Sequence, residues 1–270
     1  MSIRMLSNRL GVLAAMAALP ALSQVSGDPA SMEQMAPRQH RPILDRVENG
    51  NGTATSSNWS GYAVQGSSFT SATASWTVPA ANCGSGDQYA AFWVGIDGYS
   101  SRTVEQTGTD SDCVGGTPAY YAWYEFYPRP AFEFSSMTIQ PGDRMSASVV
   151  YNGSEFTVII EDVTTGESRS KTATVSSAQR SSAEWVVEAS GGNLNLTDFG
   201  EVFFGEDSTS IGGTNYATDS AASGAIGAFP AVEAIAMTTG GATGSGIVKA
   251  YPSALSDGTS FSVIWKTPWW

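Results

Sequence analysis

The sequence predicts an all-β protein, an antiparallel two-sheet β-sandwich. Three observations carry this expectation. Short segments alternate apolar and polar residues with a period of two. Glycine-rich turns separate them at close spacing. No stretch holds a period of 3.6 over about ten residues, as an amphipathic helix would. The elements follow in order. Residues 74–78 alternate cleanly and stop at Pro79. Residues 90–96 and 120–127 are rich in aromatic and β-forming side chains. Residues 145–151, the turn Asn152-Gly153 and residues 156–160 form a strong hairpin signal. A turn at 164–167 leads into a third strand, 168–175, and 184–188 and 202–204 follow. Residues 235–237, 246–250 and 261–265 close the chain, and the Ala/Gly/Ser/Thr-rich segment 208–245 reads as carrying long surface loops. There is no internal repeat.

The N-terminal part differs from the rest. Arg4 and Arg9 precede a short apolar run, and Pro20-Ala-Leu-Ser23 offers small residues for cleavage, so residues 1–23 read as a secretory signal peptide. The run falls short of the roughly 20 apolar residues that span a bilayer. Residues 24–54 read as a propeptide, with Pro29, Pro37 and Pro42, a basic cluster of Arg38, His40, Arg41 and Arg46, and Asn49-Gly-Asn-Gly-Thr53 as a flexible, cleavable joint. Five of the 13 basic and four of the 25 acidic residues precede residue 54, leaving eight against 21, a net of −13 for the body. A basic leader could dock on an acidic cleft and block it until acid neutralises the carboxylates. The acidic body argues against nucleic acid or anionic membrane as partner, and favours work in acid, where carboxylates repel one another less. Residues 55–270 are long enough for one domain that buries roughly 70% of its unfolded surface. Cys83 and Cys113, the two cysteines, are expected to form one disulfide in an exported chain.

His40 is the sole histidine, and it lies in the part expected to be removed. A mature protein without histidine excludes Ser-His-Asp and Cys-His mechanisms and an ordinary histidine-ligated zinc. Hydrolytic chemistry would then rest on carboxylates, amides and hydroxyls. No cofactor or metal motif is visible. Strand alternation places Trp93 and Asp97 on one face, opposite Phe92, Val94 and Ile96. It likewise groups Trp123, Glu125 and Tyr127, and, in the third segment, Glu184, Val186 and Glu188. A sheet face gathering these aromatic and carboxyl groups suits a substrate groove.

The motifs Ser57-Asn-Trp-Ser-Gly61, Trp93-Val-Gly-Ile-Asp-Gly98, Glu105-Gln-Thr-Gly108, Ala122-Trp-Tyr-Glu-Phe-Tyr-Pro128 and Ala183-Glu-Trp-Val-Val-Glu188 occur in the order and at spacings compatible with one family. The chain resembles the glutamic endopeptidases, the eqolisins. The resemblance implies a concanavalin-like, jelly-roll-type sandwich of two seven-stranded sheets. It also implies a secreted, acid-acting, pepstatin-resistant zymogen. By the same resemblance Gln106 and Glu188 form the catalytic dyad, and Trp93, Asp97, Trp123, Glu125 and Tyr127 line the substrate cleft. Glu188 would act as general base and then acid, with Gln106 donating to the oxyanion. Glu105 is expected to face away from Gln106, toward solvent. The expected partners are protein and peptide substrates and the chain's own propeptide as inhibitor, with the protein a monomer and no nucleic acid or membrane bound. Two rival readings use the same residues. One is a sandwich-fold glycosidase with Glu125 and Glu188 as its carboxyl pair, the other a non-catalytic carbohydrate-binding module with Trp93 and Trp123 as stacking platforms.

Overall fold

Period-two alternation becomes two facing layers of strands. The computed structural model describes residues 33–191, 195–205, 215–239 and 246–266. The expected signal peptide, the start of the leader and parts of the segment 208–245 lie outside the described residues. The strands are β1 (Val47–Glu48), β2 (Thr53–Ser56), β3 (Trp59–Gln65), β4 (Ser71–Thr77), β5 (Ala91–Ile96) and β6 (Val104–Val114). Then come β7 (Thr117–Tyr127), β8 (Phe132–Glu133), β9 (Arg144–Tyr151), β10 (Phe156–Asp162), β11 (Glu167–Ala173) and β12 (Ser182–Glu188). The chain closes with β13 (Glu201–Phe204), β14 (Tyr216–Thr218), β15 (Ser223–Ala225), β16 (Val232–Thr238), β17 (Val248–Pro252) and β18 (Phe261–Trp265). A single 3-10 turn, Ile226–Ala228, is the one helical piece among the described residues.

One layer runs β8-β7-β6-β5-β12-β3-β16. The other runs β17-β18-β13-β4-β9-β10-β11. The strand β16 joins them, pairing with β3 through its first half and with β17 through its last residues. The space between the layers is filled by the apolar faces of both. Phe92, Val94, Ile96, Tyr124, Phe126, Trp185 and Val187 come from the first, and Trp76, Met145, Val149, Phe156, Ile160 and Phe204 from the second. Burying large aromatics in this way supplies much of the folding drive, about 25 cal/mol for each Å² of apolar surface removed from water.

The opposite face of the first layer carries its own buried cluster. Trp59, Trp93, Trp123, Val186 and Ile235 belong to it, with Ala36 and Ile43 of the leader packed against them. Residues of one strand therefore divide between two apolar environments, which is why β5, β6 and β12 are buried along nearly their whole length.

Three local features depart from the sequence expectation. Asn49 to Thr53, read as a joint, forms the turn between β1 and β2, whose residues pair Val47 with Thr55 and Glu48 with Ala54. The strand β2 then lies parallel to β16 inside the sheet. Positive φ angles at Gly50 and Gly52 serve this tight turn rather than a loose linker. The strand β6, which no alternation in the sequence signals, carries Cys113, bonded to Cys83 as expected. Polar residues hide this strand from a pattern search, because its Thr, Asp and Ser side chains are bonded inside the protein. The segment read as surface loops contains β14 and β15, beside the strand expected at 235–237, which runs longer as β16. Its small residues carry little apolar signal, yet backbone pairing alone can seat them.

Gly61 marks the tightest crossing of the first layer. Its φ is +143°, and a Cβ there would lie 2.1 Å from the Trp185 carbonyl oxygen. Gly61→Ala combines backbone strain with a clash against a rigid neighbour, so it should cost about 3 kcal/mol or more. A melting temperature lowered by roughly 6–12 °C is expected, and an unchanged thermal midpoint would refute this view of the crossing.

Candidate active site

Four adjacent strands aim side chains at one spot. Gln106 of β6 sits opposite Glu125 of β7, and Gly108 sits opposite Trp123. On the other edge of β6, Gly95 of β5 sits opposite Gln106 and Trp93 opposite Gly108. The strand β12 completes the set, with Val186 opposite Trp93. Two glycines make room for this. A Cβ at Gly108 would lie 2.3 Å from the Phe92 carbonyl oxygen, and one at Gly95 would lie 2.9 Å from Cζ3 of Trp93. The Trp93 indole thus lies across Gly95, and its Nε1 donates to Glu188 Oε2 at 3.1 Å.

The leader threads through this spot. Gln34 and Ala36 exchange backbone hydrogen bonds with Glu133 and Ala131, so the leader enters as an extra short strand on β8. It leaves through Ile43, whose N–H reaches the Gly98 carbonyl, and Leu44, whose N–H donates to Asn58 Oδ1 at 2.7 Å. Between them lies His40, wholly buried. Its ring stacks on Trp123, with centroids 3.5 Å apart and planes 5° from parallel. Its Nε2 lies 3.1 Å from Asp110 Oδ1 and its Nδ1 lies 3.5 Å from Glu125 Oε2. Burial opposes a charge on this imidazole, but Asp110 and Glu125 override it and push the His40 pKa up to about 10. His40 therefore carries a positive charge at neutral pH.

The backbone of the same residue is held as closely. The His40 N–H donates to Glu125 Oε2 at 2.8 Å. The His40 carbonyl accepts from Gln106 Nε2 at 3.0 Å. The next N–H, of Arg41, donates to Glu188 Oε1 at 2.9 Å. The Arg41 carbonyl accepts from Trp59 Nε1 at 3.0 Å, and that of Pro42 from Asn58 Nδ2 at 3.3 Å. Gln106 also donates to Glu125 Oε2 at 3.1 Å, which fixes the orientation of its amide. One peptide unit, C=O of His40 and N–H of Arg41, thus bridges Gln106 and Glu188.

The candidate site residues fare differently. Gln106, Glu188, Trp93, Trp123 and Glu125 converge on the leader. Tyr127 lies at the end of β7, partly buried against the same apolar cluster. Asp97 stands apart, in the turn after β5 with φ +72°. Its carboxylate accepts from the N–H groups of Gln179, Arg180 and Ser181 at 2.7–2.9 Å, so it ties the lead-in of β12 to β5. Glu105 does face away from Gln106 along the strand, but it is fully buried rather than solvated. It lies near Asp97 and Thr103.

Sequence reasoning missed Asp110, Tyr121, Asn58, Trp59 and His40. Asp110 accepts from Trp123 Nε1 at 2.7 Å and from the Tyr121 hydroxyl at 2.8 Å, besides facing His40. The signal was present, since Gln106, Gly108 and Asp110 share a face at a spacing of two. Asn58 and Trp59 sit inside a motif already singled out. For His40 no local pattern exists, and only the charge contrast between leader and body points to its position.

Comparisons with known proteins identify the family. A family model for the Peptidase A4 family matches residues 57–251. The chain belongs to this family, the eqolisins, and is a glutamic endopeptidase. Aspergillopepsin-2 of Aspergillus niger is 34% identical over 194 residues, covering 61% of this chain and 69% of that protein. Scytalidopepsin B of Scytalidium lignicola is 36% identical over 148 residues, covering 53% of this chain and 55% of that protein. The crystal structure of scytalido-glutamic peptidase with a transition state analog inhibitor matches with a TM-score of 0.64 at 26% identity, over 78% of this chain and 98% of that one. Aspergilloglutamic peptidase from Aspergillus niger matches with a TM-score of 0.53 at 30% identity, over 66% of this chain and 99% of that one. Family membership removes the glycosidase and carbohydrate-binding readings.

The buried carboxyls set a pH signature for the whole fold. Burial pushes Glu188 up to about 8. Burial, and then the nearby Asp97, push Glu105 up to about 9. Burial and Asp110 push Asp112 up to about 8, and burial holds Glu184 well above the carboxylate range. Each of these groups holds its proton more tightly folded than unfolded. The folded chain therefore carries extra protons from about pH 4 to about pH 9, and stability falls as pH rises through that window. His40, raised from 6.5 to about 10, has the same sign, its contribution being complete below 6.5 and lost toward 10. The thermal midpoint of an inactivated Gln106→Ala chain should be highest near pH 4 and decline steadily toward pH 9. A midpoint at pH 9 equal to or above that at pH 4 would overturn this ranking.

Proposed function

We propose that the chain is a secreted, acid-acting, pepstatin-insensitive endopeptidase, made as a zymogen, that hydrolyses peptide bonds with Gln106 and Glu188. One observation carries the reading. A peptide unit already lies across the two side chains, its carbonyl on the Gln106 amide and its N–H on the Glu188 carboxyl. These are the two positions where charge and proton must be managed during hydrolysis.

In the proposed cycle Glu188 takes a proton from water as the water oxygen adds to the carbonyl carbon. The oxygen of that carbonyl becomes an oxyanion, and Gln106 Nε2–H donates to it without changing its own charge. Collapse of the intermediate breaks the C–N bond as Glu188 returns its proton to the leaving nitrogen. Trp93 Nε1 and Glu125 position the pair, one on Glu188 and one on Gln106. Burial makes Glu188 a strong proton acceptor but reduces its ionised fraction in acid, so the open cleft, where water replaces the leader, favours turnover. Structures similar to this one hold peptide-based transition state analogs or the tripeptide Ala-Ile-His, which supports peptide as the substrate class.

The leader supports the zymogen reading. It covers both dyad residues, and its histidinium pairs with Asp110 and Glu125. Burial raises Glu125 above the ordinary carboxylate range while the paired His40 imidazolium lowers it, so protonation of Glu125 and its pairing with His40 oppose each other. The pepstatin expectation has a physical basis too. An aspartic peptidase presents two carboxyls sharing a proton, whereas this site pairs one carboxyl with a carboxamide.

Proteolysis of a denatured protein in acid, with pepstatin present, tests the reading. Gln106→Ala should lower the rate by roughly two to three orders of magnitude, the usual loss for one oxyanion donor. Glu188→Gln should lower it further, since base and acid vanish together. Undiminished activity in either variant would move the active site elsewhere.

A further inference from the structure

The leader lies in the cleft as a substrate would, and its register is unambiguous. Four contacts define it. Glu125 accepts the N–H of His40, Gln106 donates to the carbonyl of His40, Glu188 accepts the N–H of Arg41, and Trp59 donates to the carbonyl of Arg41. Successive polar groups of the backbone are therefore each matched by a side chain from β7, β6, β12 and β3. Within this frame the bond from His40 to Arg41 is the one that spans the dyad. The flanking carbonyl of Pro42 accepts from Asn58 Nδ2, which also donates to Glu188 Oε1 at 3.4 Å, so it lies one peptide beyond the unit that Gln106 and Glu188 share.

The side chains explain why this register is chosen. The His40 imidazole stacks on Trp123 and faces Asp110 from β6 and Glu125 from β7, with Tyr121 of β7 bonded to the same Asp110 carboxylate. Glu188 of β12 faces the backbone on its Arg41 side. A flat cation fits this pocket, whereas an aliphatic or anionic side chain leaves Asp110 buried without a cation. On the other side Arg41 is exposed, so the pocket on the N-terminal side of the bond does the selecting.

We propose that the His40–Arg41 peptide bond is the bond this enzyme hydrolyses in its own leader, and that the Trp123–Asp110–Glu125 pocket selects it by its histidine. The proposal rests on the dyad reading above. Glu188 takes one proton from water as the water oxygen adds to the His40 carbonyl carbon, the bond to the Arg41 nitrogen breaks as Glu188 passes that proton to it, and the remaining proton of the new acid is released to solvent. The products are a chain ending in the His40 carboxylate and a chain beginning with the Arg41 amine. Nothing is oxidised or reduced.

The test uses the full chain, moved from neutral buffer to about pH 4, where ordinary carboxylates begin to neutralise. Intact mass and N-terminal sequencing follow the fragments, and a denatured protein is added to aliquots to read external proteolysis. A new N-terminus at Arg41 is expected as the first product. Arg41→Pro removes the N–H that Glu188 accepts while leaving the body of the enzyme untouched, and should slow this cut at least about 100-fold. His40→Leu should shift the first cut away from position 40, whereas His40→Arg, which restores a flat cation, should retain it. Glu188→Gln should abolish the cut. First cleavage elsewhere in the leader, with external protein still hydrolysed in a Glu188-dependent way, overturns this inference and leaves the dyad standing. A cut after His40 that persists in Glu188→Gln also overturns it. Failure to cut either the leader or external protein removes the dyad reading and the inference together.

Discussion

One cation on a buried acidic surface organises this molecule. The site face of the first layer buries Asp110, Asp112, Glu125 and Glu188. Carboxylates removed from water need partners or protons. Indole, phenol, amide and backbone N–H groups of the sheet satisfy several of the oxygens, and His40 brings positive charge to Asp110 and Glu125. The leader is thus the missing counter-charge of the cleft, delivered on a segment that also offers its backbone to Gln106 and Glu188. Under the proposed zymogen reading, its removal would expose the cleft to water, restore hydration to the carboxylates and make room for a substrate.

The sandwich exists to hold these groups in register. Alternation along β5, β6, β7 and β12 sends one set of side chains into the core between the layers and the other set to the site. A slip of one residue in any of these strands would exchange the two sets. The core aromatics Trp185, Phe92 and Tyr124 therefore guard the position of Glu188, Trp93 and Glu125 on the neighbouring rungs. Gly95, Gly108 and Gly61 permit the close approaches that side chains would forbid. Asp97 serves the same end from a distance, anchoring the turn that leads into β12 through three backbone N–H groups.

The sequence made the fold legible wherever one side of a strand is apolar and the other polar. The hairpin around Asn152-Gly153 and the strands carrying Trp93, Trp123 and Glu188 could be read by inspection. The strand β6 resisted, because its polar residues Thr107, Thr109, Ser111 and Asp112 are buried and satisfied internally, which no hydropathy pattern distinguishes from a solvated loop. The same blindness put Glu105 in solvent. His40 is the instructive case. Its neighbours Pro37, Arg38, Arg41 and Pro42 have the composition of a discarded linker, and the hydrogen bonds that hold it come from residues 66 to 85 positions away. Local sequence carries no trace of such pairings. Only the opposite charges of leader and body did, and they pointed to docking without giving the register. The β1–β2 turn shows a related limit, since Asn-Gly repeats serve tight hairpins and loose joints alike.

Residues 34–44 are folded into the cleft of the first layer through the His40–Arg41 peptide unit. Amide hydrogen exchange on the full chain near neutral pH tests it most directly. The His40 and Arg41 amides, bonded to Glu125 and Glu188 inside the protein, should exchange as slowly as those of β5 and β6. Exchange at those two amides at the rate of an unstructured peptide, while β5 and β6 remain protected, would contradict it.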